Sequence, residues 1–188
     1  MYKAFGKRIF DIAASLTALM VFSPVMLLVA VAIALGDGGP ALFRQQRIGR
    51  KQTPFSLLKF RSMPVNTAHI PSDQAAAVRV TPVGRLIRRT NMDELPQLIN
   101  ILRGEMSVVG PRPALATQVE LVETRAALGA YDCSPGLTGL AQINSFDGML
   151  AAQKAEWDGK YARSLSFGQD IKIILLTFRY LLKPPPVY

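Results

Sequence analysis

The sequence predicts a mostly helical α+β chain: an apolar helical hairpin set into a membrane from one side, then a small domain with interfacial helices and little strand. Three observations predict it. The 25 residues between Asp11 and Asp37 carry no charge. Beyond Pro40, apolar residues recur at helical spacing in several short windows, while residues 54–60 alone read as strand. A formal charge of +9 accompanies an apolar content of 49%, and the mean hydropathy is positive. Charge of that sign selects an anionic partner, and the apolar excess selects a membrane surface rather than nucleic acid.

Residues 1–39 hold the basic N-terminus and the apolar run. As one helix the run would reach about 37 Å at 1.5 Å per residue, enough to cross a bilayer core of about 30 Å. It is too long for a cleaved leader and ends in Gly-Asp-Gly-Gly-Pro rather than a small-residue cleavage site. Two features favour a re-entrant hairpin over a span. Pro24, after Ser23, lacks a backbone donor and crowds the Met20 carbonyl. Lys3, Lys7 and Arg8 precede the run while Arg44, Arg47, Arg50 and Lys51 follow it. Short basic flanks prefer the cytoplasmic side, and only a turn at Ser23-Pro24 keeps both there.

Residues 40–188 read as a cytoplasmic domain. Six positive charges and no acid lie from Arg44 to Arg61, expected as a basic loop against anionic headgroups leading into the strand at 54–60. Residues 64–82, with three prolines, read as a surface loop. Helices are expected over 83–90, over 93–103 with Gly104 as the stop, over 114–128, and over 169–183 as core or interfacial helix. One cysteine, Cys133, and one histidine, His69, exclude a disulfide framework and a Cys-rich zinc site. A triad or multi-histidine metal centre would rest on His69 alone. The chemistry then falls to carboxylates and cations, and any metal is a hard, oxygen-seeking ion such as Mg²⁺.

Asp93-Glu94 stands at a helix start downstream of Arg85, Arg88 and Arg89. Acids are common in first turns, but amide donors there also attract anions. A carboxylate can attack phosphorus beside a metal that neutralises a pyrophosphate. In Gly110-Pro111-Arg112-Pro113, flanking prolines stiffen the backbone around a two-pronged phosphate donor. Ser134-Pro135-Gly136-Leu137-Thr138-Gly139, taken alone, is turn chemistry.

Together the string DELPQLINILRGEMSVVGPRP (93–113), PGLTGLAQIN (135–144), FRQQRIG (43–49) and FSLLKFRSM (55–63) closely resembles the bacterial sugar transferase family, whose small members are monotopic phosphoglycosyl transferases. The resemblance implies transfer of a sugar 1-phosphate from a UDP-sugar to polyprenyl (undecaprenyl) phosphate with release of UMP, the first step of O-antigen, capsule, exopolysaccharide or glycoprotein glycan assembly. It implies that Asp93 is the nucleophile of a covalent phosphosugar intermediate, that Glu94 completes the dyad, and that Mg²⁺ sits at Asp93. Lys59, Arg88 and Arg112 would belong to the substrate-binding surface. The family's hairpin is re-entrant, at the cytoplasmic face of the bacterial inner membrane. A homodimer is among the assemblies considered; no nucleic acid is expected. With only a few residues ahead of the hairpin, the chain is expected to be the minimal form. Ser145-Phe146 replaces a frequent Gly-Arg, and Pro64-Val65-Asn66 replaces frequent acids, so the sugar is left open. A metal-dependent phosphohydrolase and a basic membrane scaffold or nucleic-acid tether are the competing readings.

Overall fold

The computed structural model describes residues 2–65, 80–145 and 149–181. His69, Asn66, Phe146 and most of the expected 64–82 loop lie outside them.

After a π-helical turn at Tyr2–Gly6, helix α1 runs from Lys7 to Asp37 and stops at Gly38, whose left-handed backbone (φ 69°) lets its N–H reach the Ala34 carbonyl at 3.0 Å. The helix is continuous through Pro24, so the expected break at Ser23-Pro24 is not a break in the helix. The physical reason lies in Ser23. Pro24 has no N–H for the Met20 carbonyl, and the Ser23 hydroxyl donates to that oxygen instead, at 3.2 Å.

Both halves of α1 dock on the rest of the chain. Lys7, Asp11 and Ser15 are buried along the first half, and Val29 and Ile33 along the second. The buried stripe lapses between them, where Met20, Val21, Phe22, Ser23 and Pro24 are all exposed. α1 is the one helix among the described residues long and apolar enough to cross a membrane.

Strands β1 (Leu42–Ile48) and β2 (Pro54–Phe60) form an antiparallel hairpin with Phe43 opposite Lys59. β2 is the expected strand. β1 replaces the expected basic loop: Phe43, Gln45 and Arg47 are half-buried in alternation with exposed Leu42, Arg44 and Gln46, the period of a strand. Helix α2 (Pro82–Arg89) follows, capped by the Thr81 hydroxyl on the Gly84 N–H. Then come a 3₁₀ turn at Met92–Glu94 and helix α3 (Gln97–Arg103). The expected helix 93–103 therefore begins four residues late, with Pro96 at its cap. Strands β3 (Ser107–Val109) and β4 (Gly136–Thr138) pair in parallel. Between them lies α4 (Val119–Ala127), shorter than expected. Helices α5 (Leu140–Ile143), α6 (Ala151–Ser164) and α7 (Phe167–Leu181) complete the described chain.

The core is divided among small clusters, two of which lie along α1. Ala18 and Leu19 pack on Phe55, Leu57, Leu98 and Ile101, and Val29 and Ile33 pack on Phe60 and Ile87. Polar contacts fix the N-terminal end. Arg8 donates to the Ile101 and Leu102 carbonyls, the latter at 2.7 Å, covering orphan acceptors at the negative end of α3. Asp11 accepts from the Ser107 hydroxyl at 2.9 Å and the Val108 N–H at 3.0 Å. Tyr2 and Lys7 reach Asp170 on α7. α1 is thus a packed element of the domain, not a tether.

Candidate active site

Four segments meet around the carboxylate pair. β2 supplies Lys59, α2 supplies Arg88, the 3₁₀ turn supplies Asp93 and Glu94, and the loop after β3 supplies Arg112. The turn is entered through Asn91 in the left-handed region (φ 54°), which reverses the chain out of α2 and points both carboxylates back toward β2. α2 approaches closely because residue 84 is glycine: a Cβ there would lie 2.0 Å from the Ser62 carbonyl oxygen. That approach brings Arg88 Nε to the Ser62 hydroxyl at 2.8 Å.

The two acids are treated differently. Lys59 Nζ donates to Glu94 Oε1 at 2.8 Å, and Arg112 grips the same carboxylate with Nη2 at 2.6 Å and Nη1 at 3.5 Å. Burial would raise the Glu94 carboxyl, but Arg112 and Lys59 hold it well below the ordinary carboxylate range. Asp93 is buried, and among the described residues no hydrogen bond or ion pair reaches its carboxylate. Burial pushes its carboxyl above the ordinary aspartate value, assisted by the Glu94 charge; Lys59, Arg88 and Arg112 pull the other way without prevailing. Glu94 is therefore a permanently charged clamp for two cations. Asp93 is a poorly solvated carboxylate in a cationic surround, the environment of a nucleophile toward an anionic phosphoryl group.

Arg112 is held from behind. Arg125 of α4, 3% exposed, donates to the Arg112 carbonyl at 2.8 Å while forming a buried pair with Asp158 of α6 (Nη2 to Oδ2, 2.6 Å). Arg47 of β1 donates to the Pro113 carbonyl at 3.0 Å. The glycines of the two proline motifs complete the support, since a Cβ at Gly136 would lie 2.0 Å from the Gly110 nitrogen. The Pro135-Gly136 turn is thus the platform under the Arg112 loop. All five sequence-predicted site residues come together, and Lys59 and Arg112 do so through Glu94.

Sequence reasoning missed Ser62, Arg47, Arg125 and Asp158. Ser62 lies within the FSLLKFRSM string, and only that proximity to Lys59 could have flagged it. Nothing local marks Arg125 or Asp158, whose pairing crosses from α4 to α6.

Among the described residues no three His, Cys, Asp or Glu side chains cluster, so these residues offer no metal cage. Mg²⁺ does not require one: it is commonly held by one or two carboxylates plus substrate phosphates. The unengaged Asp93 carboxylate fits that role, and Glu94, occupied twice over, does not.

The family model for bacterial sugar transferases matches residues 2–184. The chain belongs to this family. It is 40% identical to a UDP-glucose:undecaprenyl-phosphate glucose-1-phosphate transferase of Caulobacter vibrioides, over 97% of this chain and 72% of the relative. It is 39% identical to the sugar transferase EpsL of Bacillus subtilis, over 94% and 87%. A UDP-N-acetylgalactosamine-undecaprenyl-phosphate N-acetylgalactosaminephosphotransferase of Aeromonas hydrophila is 38% identical over 95% of this chain but only 44% of its own length. This sugar transferase is therefore similar to enzymes that differ in the sugar they carry.

Proposed function

We propose that this enzyme moves a sugar 1-phosphate from a UDP-sugar to undecaprenyl phosphate, in two displacements through Asp93. An Asp93 carboxylate oxygen attacks the phosphorus that bears the sugar, the bridging P–O bond breaks, and UMP departs. An oxygen of the polyprenyl phosphate then attacks the same phosphorus, which releases Asp93 and leaves a lipid-linked diphosphosugar. The observation that carries this reading is the contrast within the dyad: Glu94 is saturated by Lys59 and Arg112, while Asp93, next to it, has no hydrogen-bond or ion-pair partner among the described residues. Arg88 and Arg112 would hold the phosphate oxygens. Mg²⁺ held at Asp93 would neutralise pyrophosphate charge as UMP leaves.

Protein incubated with UDP-sugar and Mg²⁺ but no lipid should gain the mass of one sugar phosphate, mapping to Asp93; UMP should appear in step. EDTA should stop the reaction and Mg²⁺ restore it. A hydrolase would release free sugar phosphate without any lipid acceptor, and that outcome would replace the transferase reading.

The setting we propose is the cytoplasmic face of the bacterial inner membrane, with α1 entering and leaving the bilayer on one side. Both halves of α1 pack on the same domain, and a span would strip one half of its partners. The uncovered Met20–Pro24 segment would then be the deepest point. Cysteines placed singly at Lys3 and Arg44, in a Cys133→Ser background, should both resist a membrane-impermeant thiol reagent in sealed cells. Labelling at position 3 alone would establish a span. In its native place Cys133 contributes little background, because burial pushes its thiol up to about 12.

A further inference from the structure

A groove of about 510 Å³ is lined by residues of α6 and α7 and, from α5, by Leu140 and Ile143. Its chemistry is unlike that of the Asp93 site, and neither Asp93 nor any of its four charged neighbours lines it. Lys172, Leu176 and Arg179 stand at i, i+4 and i+7 on α7, so they form one stripe along the groove. Trp157 and Lys160 face them from α6, with the Lys160 ammonium 5.0 Å from the Trp157 ring centre. Ile173 forms part of the floor. Among the described residues no acid lines the groove, although Glu156 lines the adjoining hollow that shares Trp157 and Lys160 with it, and neither Lys172 nor Arg179 has a hydrogen-bond or ion-pair partner. α7 also exposes Phe167, Leu175 and Phe178 beside it, at 52%, 64% and 64%.

We infer that this groove seats an anionic glycerophospholipid, its phosphate between Lys172, Arg179 and Lys160 and its first methylenes along Leu176 and Ile173. Three cations without an acid call for an anion. An apolar floor with a tryptophan at its edge calls for hydrocarbon meeting headgroup. The exposed apolar residues of α7 extend that surface outward into the bilayer. Free phosphate satisfies only the cations. The polyprenyl phosphate acceptor must bring its phosphate to Asp93, which is not here. The site rests on the membrane-bound reading above, and its test keeps the two apart.

Trp157 is the only tryptophan, so its fluorescence reports on the α6 side of this groove. The full chain is reconstituted in phosphatidylcholine vesicles containing a small, equal fraction of either bromoacyl phosphatidylglycerol or bromoacyl phosphatidylcholine. Quenching of Trp157 should show a roughly tenfold preference for the anionic quencher, and Lys172→Gln with Arg179→Gln should bring it to about parity. Flotation with the vesicles and the unfolding temperature should not change in the double variant. Equal quenching by the two lipids in the wild type, with flotation intact, overturns the lipid site alone. Failure to float overturns the membrane reading itself. Relief of quenching by inorganic phosphate, UMP or undecaprenyl phosphate at concentrations matching the anionic lipid would reassign the groove to that ligand.

Discussion

Asp170, fully buried on α7, is met by the Lys7 ammonium at 2.7 Å and by the Tyr2 and Tyr161 hydroxyls at 2.6 and 2.7 Å. Asp93, 9% exposed, has cations around it but no hydrogen bond from any described residue. Both aspartates are withdrawn from water, and they differ in whether that withdrawal is compensated. A buried carboxylate with every oxygen engaged joins elements together: here the N-terminal turn, α6 and α7. One left unengaged costs stability and remains available to a substrate.

The largest effect should come from exchanging each aspartate for asparagine. Asp93→Asn should lower turnover by about 10⁴-fold or more and abolish the phosphosugar adduct. It should nevertheless raise the unfolding temperature at pH 7. Its folded-state value lies above the ordinary 3.8, so the stability it contributes is present below 3.8 and lost as pH rises through the folded value; at neutral pH the charge is a burden that asparagine lacks. Asp170→Asn should do the reverse, costing about 3 kcal/mol of stability by stranding Lys7, with little change in activity per folded molecule. Thermal unfolding and turnover on the same two preparations check both signs.

Next in size is Arg112→Lys. Charge is kept but the two-pronged grip is lost, at an expected cost of about 2–4 kcal/mol, or roughly 30- to 1,000-fold in kcat/KM. A loss under about threefold would make Arg112 a structural turn residue.

A smaller effect is expected behind it. Arg125→Met alone should destabilise by about 3–5 kcal/mol, because Asp158 is left buried without its partner. Arg125→Met with Asp158→Leu should recover that stability, yet remain roughly 10- to 100-fold slower, since the Arg112 carbonyl has lost its donor. Full recovery of both would show that the Arg112 loop positions itself.

The smallest effect is a displaced pH limb. Activity should fall as pH drops through the raised Asp93 value, because the protonated acid is a poor nucleophile. Glu94→Gln removes the neighbouring negative charge that helps raise Asp93, so the limb of its residual activity should move to lower pH. A limb that stays in place would mean that another group titrates.

The sequence revealed the Asp93 half of this comparison far better than the Asp170 half. Asp93, Glu94, Lys59, Arg88 and Arg112 lie in strings whose residue types already suggest phosphate chemistry, and β2 and α7 carried their apolar spacing openly. Asp170 looked like any first-turn acid, because two of its three partners come from 163 and 168 positions away. α6 was invisible to apolar periodicity because its buried face is Ala155, Asp158, Gly159 and Tyr161. β1 hid behind Arg44 and Arg47. The placement of the dyad on a 3₁₀ turn rather than in an α-helix was obscured by Pro96, which reads as helix-tolerant and in fact delays the helix.

Ser23 gives the apolar helix an unusual freedom. In hydrocarbon a bare carbonyl costs several kcal/mol, and proline normally creates one or borrows water to cover it. Here the hydroxyl one residue before Pro24 covers the Met20 oxygen from within the helix. The segment therefore needs neither a neighbouring chain nor a water molecule at the level where it rests. In the proposed setting, the Met20 acceptor keeps its donor whatever depth the Met20–Pro24 segment reaches.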